Sequence, residues 1–170
     1  VDMFLIETIS TLKEARAAVE AALESGKDVM LGFTLSDTDR GKLRSGESFT
    51  SALDVVGAYP LTAILLNCSF PETISEGMEM LRSAQLPFGG YANGFTSVDA
   101  LKPGGTVAEL SARTDLDEQA YASFAIDWVK KGASIVGGCC EIGPSHIRHV
   151  RDLLLKEGYE IEVQTLKRKA

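Results

Sequence analysis

The chain has 170 residues, of which 45% are hydrophobic and 24% are charged, and its net charge is −7. This length and composition suit one globular domain with a hydrophobic core. The chain is too short for two domains of ordinary size. Because acidic and basic residues alternate under a net negative charge, we expect neither a nucleic acid nor an anionic membrane as a partner. We also expect neither a signal peptide nor a membrane span.

The sequence opens inside an apolar run, without an initiator methionine, which predicts that the chain is part of a longer protein. Short apolar segments then alternate with helical ones. The segments with the length and flanking residues of strands are 3–6, 29–33, 63–66, 88–91 and 134–136.

Four helices have readable ends. The first begins at a capping box, Thr11 to Glu14, and stops before Gly26. A second capping box, Ser69 to Glu72, predicts the next helix. The third helix turns Tyr121, Phe124, Ala125 and Trp128 inward and ends near Gly132, and the fourth begins at Pro144, buries Ile147, Val150 and Leu154, and ends near Gly158.

Two segments are less regular. Residues 41–59 begin as a polar loop and become a short helix at about 51–56. Residues 95–114 are rich in glycine, serine and threonine and include Pro103-Gly-Gly, which favours a functional loop at the rim of a site.

Repeated strand–helix units predict an α/β fold with a parallel sheet. Both an open doubly wound sheet and part of a (β/α)8 barrel fit this pattern. The polar residues that follow the predicted strands are Glu7-Thr8, Thr34, Asn67-Cys68, Asn93 and Cys139-Cys140. In parallel α/β folds the carboxyl ends of the strands carry the chemistry, so this edge is the expected site.

The three cysteines include one adjacent pair, which does not make a disulfide framework and favours a reducing, cytoplasmic setting. Three thiolates around Zn²⁺ leave one tetrahedral position open, as in catalytic sites. Gly137 and Gly138 would permit the unusual turn that an adjacent pair needs. A redox-active vicinal disulfide and inert buried thiols are the alternatives.

Residues 136–147, Val-Gly-Gly-Cys-Cys-Glu-Ile-Gly-Pro-Ser-His-Ile, closely resemble the signature that closes the homocysteine-binding domain of the homocysteine S-methyltransferase family. Residues 66–69 (Leu-Asn-Cys-Ser), 4–8 (Phe-Leu-Ile-Glu-Thr) and 91–94 (Tyr-Ala-Asn-Gly) resemble other motifs of that family in the same order. The resemblance implies a partial (β/α)8 barrel over residues 1–157, corresponding to units four to eight, followed by a tail at 158–170.

The resemblance also implies site residues and chemistry. Cys68, Cys139 and Cys140 would be the zinc ligands, and Glu7 would hold the amino group of homocysteine. Thr8, Asn67 and Asn93 are further predicted substrate-binding residues. The reaction would move a methyl group from a small-molecule donor to the thiol of homocysteine, giving methionine. His146 and His149 are expected in exposed or capping roles rather than as ligands.

The opening strands of the family's barrel have no counterpart here. A full barrel has eight strands and typically about 250 residues, and the family's Asp-Gly motif is absent from this sequence. Three functions therefore stay open: an enzyme active once the missing strands are supplied, a zinc- and thiol-binding fragment without turnover, and the homocysteine module of a larger cobalamin-dependent methionine synthase. The open sheet edges predict self-association into a homo-oligomer.

Overall fold

The structure is a computed structural model and describes residues 1–98 and 106–162. Residues 99–105, the part of the predicted loop that contains Pro103-Gly-Gly, and residues 163–170 of the predicted tail lie outside the described residues.

Strands and helices alternate strictly through the described residues. The elements are β1 (Met3–Ile9), α1 (Leu12–Leu23), β2 (Asp28–Phe33), α2 (Phe49–Val56), β3 (Ala63–Asn67), α3 (Pro71–Leu81), β4 (Phe88–Tyr91), α4 (Glu118–Lys130), β5 (Ile135–Val136) and α5 (Pro144–Lys156). Short 3-10 turns lie after α3, at Arg82–Ala84, and between β4 and α4, at Val107–Glu109. All the predicted strands are confirmed, and β1 extends beyond its predicted end to Ile9.

The strands pair in the order β1-β2-β3-β4-β5, and each neighbouring pair is parallel. A doubly wound sheet reverses its strand order at a switch point, whereas successive strands of a barrel simply follow one another. The described residues therefore form an arc of a (β/α)8 barrel with five strand–helix units, which confirms the predicted fold class.

The two faces of the arc differ. On the outer face, Leu31, Phe33 and Leu66 pack with the helices into one large core. On the inner face, Ala63, Leu65 and Tyr91 form a small separate cluster of strand residues. Gly90 keeps β4 close to α3, because a Cβ there would lie 2.7 Å from Met78 and 2.8 Å from Ile74. The helices thus cover one face only, as in a barrel wall.

The helix ends follow the sequence in part. Thr11 accepts a hydrogen bond from the Glu14 amide at 3.0 Å, as the first capping box predicts. The second predicted capping box is wrong: α3 is capped at Phe70 without a side-chain bond, because the Ser69 hydroxyl is engaged with Leu35.

In the last two helices, Trp128 is fully buried as predicted and donates to the Ser75 hydroxyl at 2.7 Å, which ties α4 to α3. In α5, Val150 and Leu154 are buried, but Ile147 is 40% exposed, so its predicted burial is wrong. Ile147 lies in the first turn of α5, a helix that packs mainly against α4 rather than against the sheet.

Within the described residues the sheet remains open at β1, whose free side pairs with no other strand. Met3 and Leu5 on this strand are 37% and 47% exposed. None of the helices in the described ranges combines the length and apolar character that crossing a membrane requires.

Candidate metal centre

The three cysteines meet at the carboxyl edge of the sheet. Cys68 directly follows β3, and Cys139 and Cys140 follow β5, so the chain reaches them from the two strands that flank β4. Their sulfur atoms all lie within 4.8 Å of one another, and the Cys139 and Cys140 sulfurs are 3.8 Å apart. Cys68 is buried, Cys139 is half-buried and Cys140 is exposed, so the cluster opens to solvent on one side.

The sulfur geometry can be compared with what a zinc ion requires. Tetrahedral Zn²⁺ with Zn–S bonds of about 2.3 Å holds its sulfur ligands about 3.8 Å apart. The Cys139–Cys140 separation of 3.8 Å matches this spacing, and the 4.8 Å upper limit within the trio leaves only a small adjustment. Soft thiolate ligands favour zinc over magnesium or calcium. The three residues therefore fit a zinc ion with one position left for another ligand.

The pKa values of the three thiols shift in different directions. A hydrogen bond from Cys139 lowers the pKa of Cys68, despite the opposing effect of burial. The same bond, together with burial, raises the pKa of Cys139, and burial raises that of Cys140. In the metal-free chain, Cys68 is therefore the first of the three to become a thiolate.

The backbone at Cys68 adopts a left-handed conformation with φ of 55°. Such a conformation is uncommon for a residue with a side chain and persists only where neighbouring contacts impose it. The Cys68 amide donates to the Tyr91 carbonyl at 3.2 Å. The Cys68 carbonyl accepts a 2.7 Å hydrogen bond from the side chain of Asn93, whose own oxygen accepts from the Phe95 amide at 3.0 Å. Asn93 thus joins the turns that follow β3 and β4.

The second cysteine segment is held by backbone bonds and by Tyr121. Cys139 donates its amide to the Ala92 carbonyl at 2.9 Å. The Tyr121 hydroxyl donates to the Gly137 carbonyl at 2.6 Å and accepts from the Ala92 amide at 3.1 Å. The end of β4 therefore positions the segment that carries Cys139.

The glycine pair permits the turn through the space that it leaves rather than through a left-handed backbone. Neither Gly137 nor Gly138 adopts a positive φ, and the left-handed residue of this turn is Glu141, with φ of 63°. A Cβ on Gly138 would lie 2.3 Å from the side chain of Ile142. This glycine is needed because the chain folds back closely upon it.

The predicted substrate residues lie at the same edge. Thr8 has φ of 59°, and its amide and hydroxyl are both bonded to the side chain of Asn67, at 2.9 Å and 2.7 Å. Glu7 is exposed on the strand end beside the buried Tyr91 hydroxyl. Burial and then the Glu7 carboxylate raise the pKa of Tyr91, although no hydrogen bond of good geometry reaches that hydroxyl.

The histidines stay apart from the cysteines, as the sequence predicts. The His146 ring accepts a hydrogen bond from the Gly143 amide at 3.3 Å, which is a capping contact at the start of α5. The His149 ring lies 3.0 Å from the side-chain oxygen of Gln119.

Sequence reasoning missed three residues of this edge. Tyr91 belongs to a quoted motif but received no role, and Tyr121 was assigned only to a buried helix face. Arg44 donates to the Cys68 carbonyl at 2.7 Å from a loop that the sequence left without a role. A tyrosine on a buried helix face was a usable signal, because such a hydroxyl needs a partner; nothing in the local sequence pointed to Arg44.

Several known proteins resemble this chain. A homocysteine S-methyltransferase 1 from Zea mays is 30% identical over 156 residues, which cover 90% of this chain and 46% of that protein. A selenocysteine methyltransferase from Astragalus bisulcatus is 24% identical, over 91% of this chain and 45% of its own length. The chain therefore spans about half the length of the curated relatives it matches.

The fold has a solved counterpart as well. The homocysteine methyltransferase MmuM from Escherichia coli, in its metallated form, matches with a TM-score of 0.69 at 21% identity, covering 90% of this chain and 45% of that structure. Its apo form matches with a TM-score of 0.67. At the level of sequence, the profile of the homocysteine S-methyltransferase family matches residues 1–154. Because that match takes in nearly the whole chain, the chain belongs to the homocysteine S-methyltransferase family.

Proposed function

We propose that this chain forms the zinc- and homocysteine-binding part of an enzyme that transfers a methyl group to the thiol of homocysteine, giving methionine. The observation that carries the proposal is the meeting of Cys68, Cys139 and Cys140, with all three sulfurs within 4.8 Å, at the sheet edge near which Glu7 lies on β1. Membership of the family and the metallated form of the Escherichia coli relative support it.

In this proposal Cys68, Cys139 and Cys140 hold the zinc ion. Bound zinc would lower the pKa of the homocysteine thiol, so that the nucleophilic thiolate is present near neutral pH. The exposed side of the cluster, at Cys140, is where the substrate thiol would enter. The buried side, at Cys68, is fixed by backbone and side-chain bonds and keeps the ligands in place.

Glu7 would bind the amino group of homocysteine through a charge-assisted hydrogen bond. Thr8 and Asn67 would hold Glu7 in position, since their two mutual hydrogen bonds fix the backbone next to it. Asn93 would support the same site through the Cys68 carbonyl. The new sulfur–carbon bond forms as the donor's bond to the methyl carbon breaks, and the electron pair of that bond leaves with the donor.

Zinc content tests the metal part of the proposal. We expect the purified chain to bind one zinc ion per molecule, measured by elemental analysis after gel filtration. Cys68→Ser, Cys139→Ser and Cys140→Ser should each weaken binding strongly, measured by competition with a chromogenic chelator. Ser83→Ala, a matched change of an exposed residue outside the cluster, should leave the affinity unchanged. Full zinc affinity in all three cysteine variants would reject the site.

A methyl-transfer assay tests the reaction. Homocysteine would be incubated with S-methylmethionine, S-adenosylmethionine, betaine or methylcobalamin in turn, and methionine measured by mass spectrometry. The use of methylcobalamin alone would identify the module of a cobalamin-dependent methionine synthase. Glu7→Gln should raise the KM for homocysteine more than it lowers kcat.

A second candidate is a zinc- and thiol-binding module without turnover. The three neighbouring sulfurs account for metal and thiol binding by themselves, whatever the activity of the residues around them. Calorimetry distinguishes the two candidates: homocysteine binding that depends on zinc, without methionine from any donor, would support the binding module.

We further infer that the protein works in a reducing compartment such as the cytoplasm, because three free thiols at a partly open site need protection from oxidation.

We also propose that the chain self-associates. The outer edge of β1, which pairs with no other strand in the described ranges, and the exposed Met3 and Leu5 beside it support this proposal.

A further inference from the structure

The loop between β2 and α2 is tied to the end of β2 and then reaches across to β3. Leu35 and Leu43 form an antiparallel bridge, and the Arg44 amide donates to the Thr34 carbonyl at 3.1 Å. Leu43 is fully buried, which anchors the base of the loop in the core. The backbone of Arg44 is therefore fixed before its side chain makes any contact.

This loop contacts each residue of the turn that begins at Cys68. The Arg44 guanidinium donates to the Cys68 carbonyl at 2.7 Å. The next residue, Ser69, accepts a 2.8 Å hydrogen bond from the Leu35 amide. The Asp37 carboxylate accepts a 2.8 Å hydrogen bond from the amide of Phe70.

Arg44 and Asp37 also face each other. The Arg44 guanidinium lies 3.7 Å from the second carboxylate oxygen of Asp37, and their side chains are only 30% and 9% exposed. This separation is that of an ion pair rather than of a hydrogen bond, and the pair is largely shielded from solvent. Arg44 and Asp37 thus bind two of the three turn residues, through the carbonyl of Cys68 and the amide of Phe70.

We propose that Arg44, oriented by Asp37, is a positioning residue that holds Cys68 in its left-handed conformation and so aims its sulfur at Cys139 and Cys140. The inference rests on the proposed zinc function and goes beyond it, because it assigns a role to a residue outside the ligand set. The Cys68 carbonyl receives donors from Arg44 and from Asn93, both at 2.7 Å, so the φ of 55° is imposed from two sides.

The positive charge of Arg44 should also favour zinc binding by the three cysteines. Three cysteine thiolates around Zn²⁺ carry one net negative charge, and a cation next to one ligand offsets it. One guanidinium nitrogen, Nη2, makes both the bond to the Cys68 carbonyl and the contact with the Asp37 carboxylate, so a lysine ammonium would supply the same charge and a similar donor. Contacts around metal ligands typically change metal affinity by about 10–100-fold when removed.

The test measures zinc affinity of the full chain by chelator competition and follows cobalt(II) substitution by its thiolate-to-metal absorption. Arg44→Gln should weaken zinc binding about tenfold or more and alter the cobalt spectrum. Arg44→Lys should recover part of the loss, since an ammonium can still donate to the carbonyl. Arg40→Gln is the matched control, because Arg40 lies on the same loop but is 86% exposed and pairs with Glu76 instead; its affinity should equal that of the wild type.

A second measurement needs no metal. In the zinc-free chain, amide hydrogen exchange of the peptide that contains residues 66–71 should be faster in Arg44→Gln than in the wild type or Arg40→Gln. Unchanged exchange, or zinc affinity within twofold of the wild type, would overturn the role of Arg44. An equal loss in Arg44→Lys, accompanied by a large fall in Tm, would also overturn it in favour of general destabilisation. A wild-type chain without zinc binding would reject the proposed function, and the exchange result would still decide the role of Arg44.

Discussion

Asn67 on β3 and Thr8 at the end of β1 exchange two hydrogen bonds, of 2.9 Å and 2.7 Å, although β2 lies between their strands. The bonds cross above Gly32 of β2, where a Cβ would lie 2.8 Å from the Asn67 side-chain oxygen and 3.0 Å from the Tyr91 hydroxyl. The absence of a side chain at Gly32 therefore allows the end of β3 to hold the end of β1, and with it Glu7.

Gly32→Ala should break this connection. We expect the free energy of unfolding to fall by about 1–3 kcal/mol, the usual cost of forcing extra volume into a packed site. Urea unfolding followed by circular dichroism measures it. Gly143→Ala is the matched control, because a Cβ there meets nothing within 4 Å; its cost should stay below about 1 kcal/mol. Equal effects of the two substitutions would contradict the role given to Gly32.

Two buried tyrosines should respond in opposite ways to the loss of their hydroxyl group. Tyr121→Phe removes the bonds to Gly137 and Ala92, of 2.6 Å and 3.1 Å, and should cost about 1–3 kcal/mol of unfolding free energy. Tyr91→Phe removes a buried hydroxyl to which the described residues make no hydrogen bond of good geometry, so stability should stay equal or rise. Each variant serves as the control for the other. A larger loss in Tyr91→Phe than in Tyr121→Phe would show that the Tyr91 hydroxyl has a strong partner after all.

Alkaline pH should destabilise the metal-free chain. The pKa values of Cys139 and Cys140 lie above their ordinary 9.0 in the folded chain, through the bond to Cys68 and burial for Cys139 and through burial for Cys140. As pH rises through 9.0, the unfolded chain releases these protons while the folded chain keeps them, so the free energy of unfolding falls. Cys68 has the opposite sign, since its lowered pKa gives stability that is present above 9.0 and lost as pH falls through the folded value. The lowered pKa of Cys68 therefore offsets only part of the effect of the raised pKa values of Cys139 and Cys140, and the net expectation is a loss of stability at alkaline pH.

Urea unfolding at about pH 8 and about pH 10, with chelator and reductant present, measures this effect. The double variant Cys139→Ser and Cys140→Ser should lose less stability between the two pH values than the wild type does. Tyr91 and Tyr121, whose pKa values are also raised above 10.0, are present in both proteins, and burial, the largest cause of their shifts, is common to both, so most of their contribution cancels in the comparison. An identical loss in wild type and double variant would contradict the assignment to the cysteines.

The sequence was sufficient for some parts of this molecule and insufficient for others. Strand ends carry local signals, so the strand predicted at 63–66, observed as Ala63–Asn67, and the thiol that follows it were predicted together. Contacts between distant loops carry no such signal: Arg44 and Cys68 are separated by 24 residues, and the loop that brings them together has no periodicity. The failed prediction at Ser69 has the same origin, because its hydroxyl bonds to Leu35, 34 residues away, in preference to its own helix.

The exposed strand β1 gives the last prediction. Leu5 is 47% exposed on a strand whose outer edge pairs with no other described strand. Exposed edges with apolar side chains favour association, and a charge on such an edge opposes it. Leu5→Lys should therefore shift the chain towards monomer in sedimentation velocity at equal protein concentration. Leu155→Lys makes the same change at a residue that is 53% exposed on α5, away from the strand edge, and should leave the distribution unchanged. If the wild-type chain is a monodisperse monomer, the proposed self-association is wrong; if both variants reduce association equally, β1 is not the surface through which it occurs.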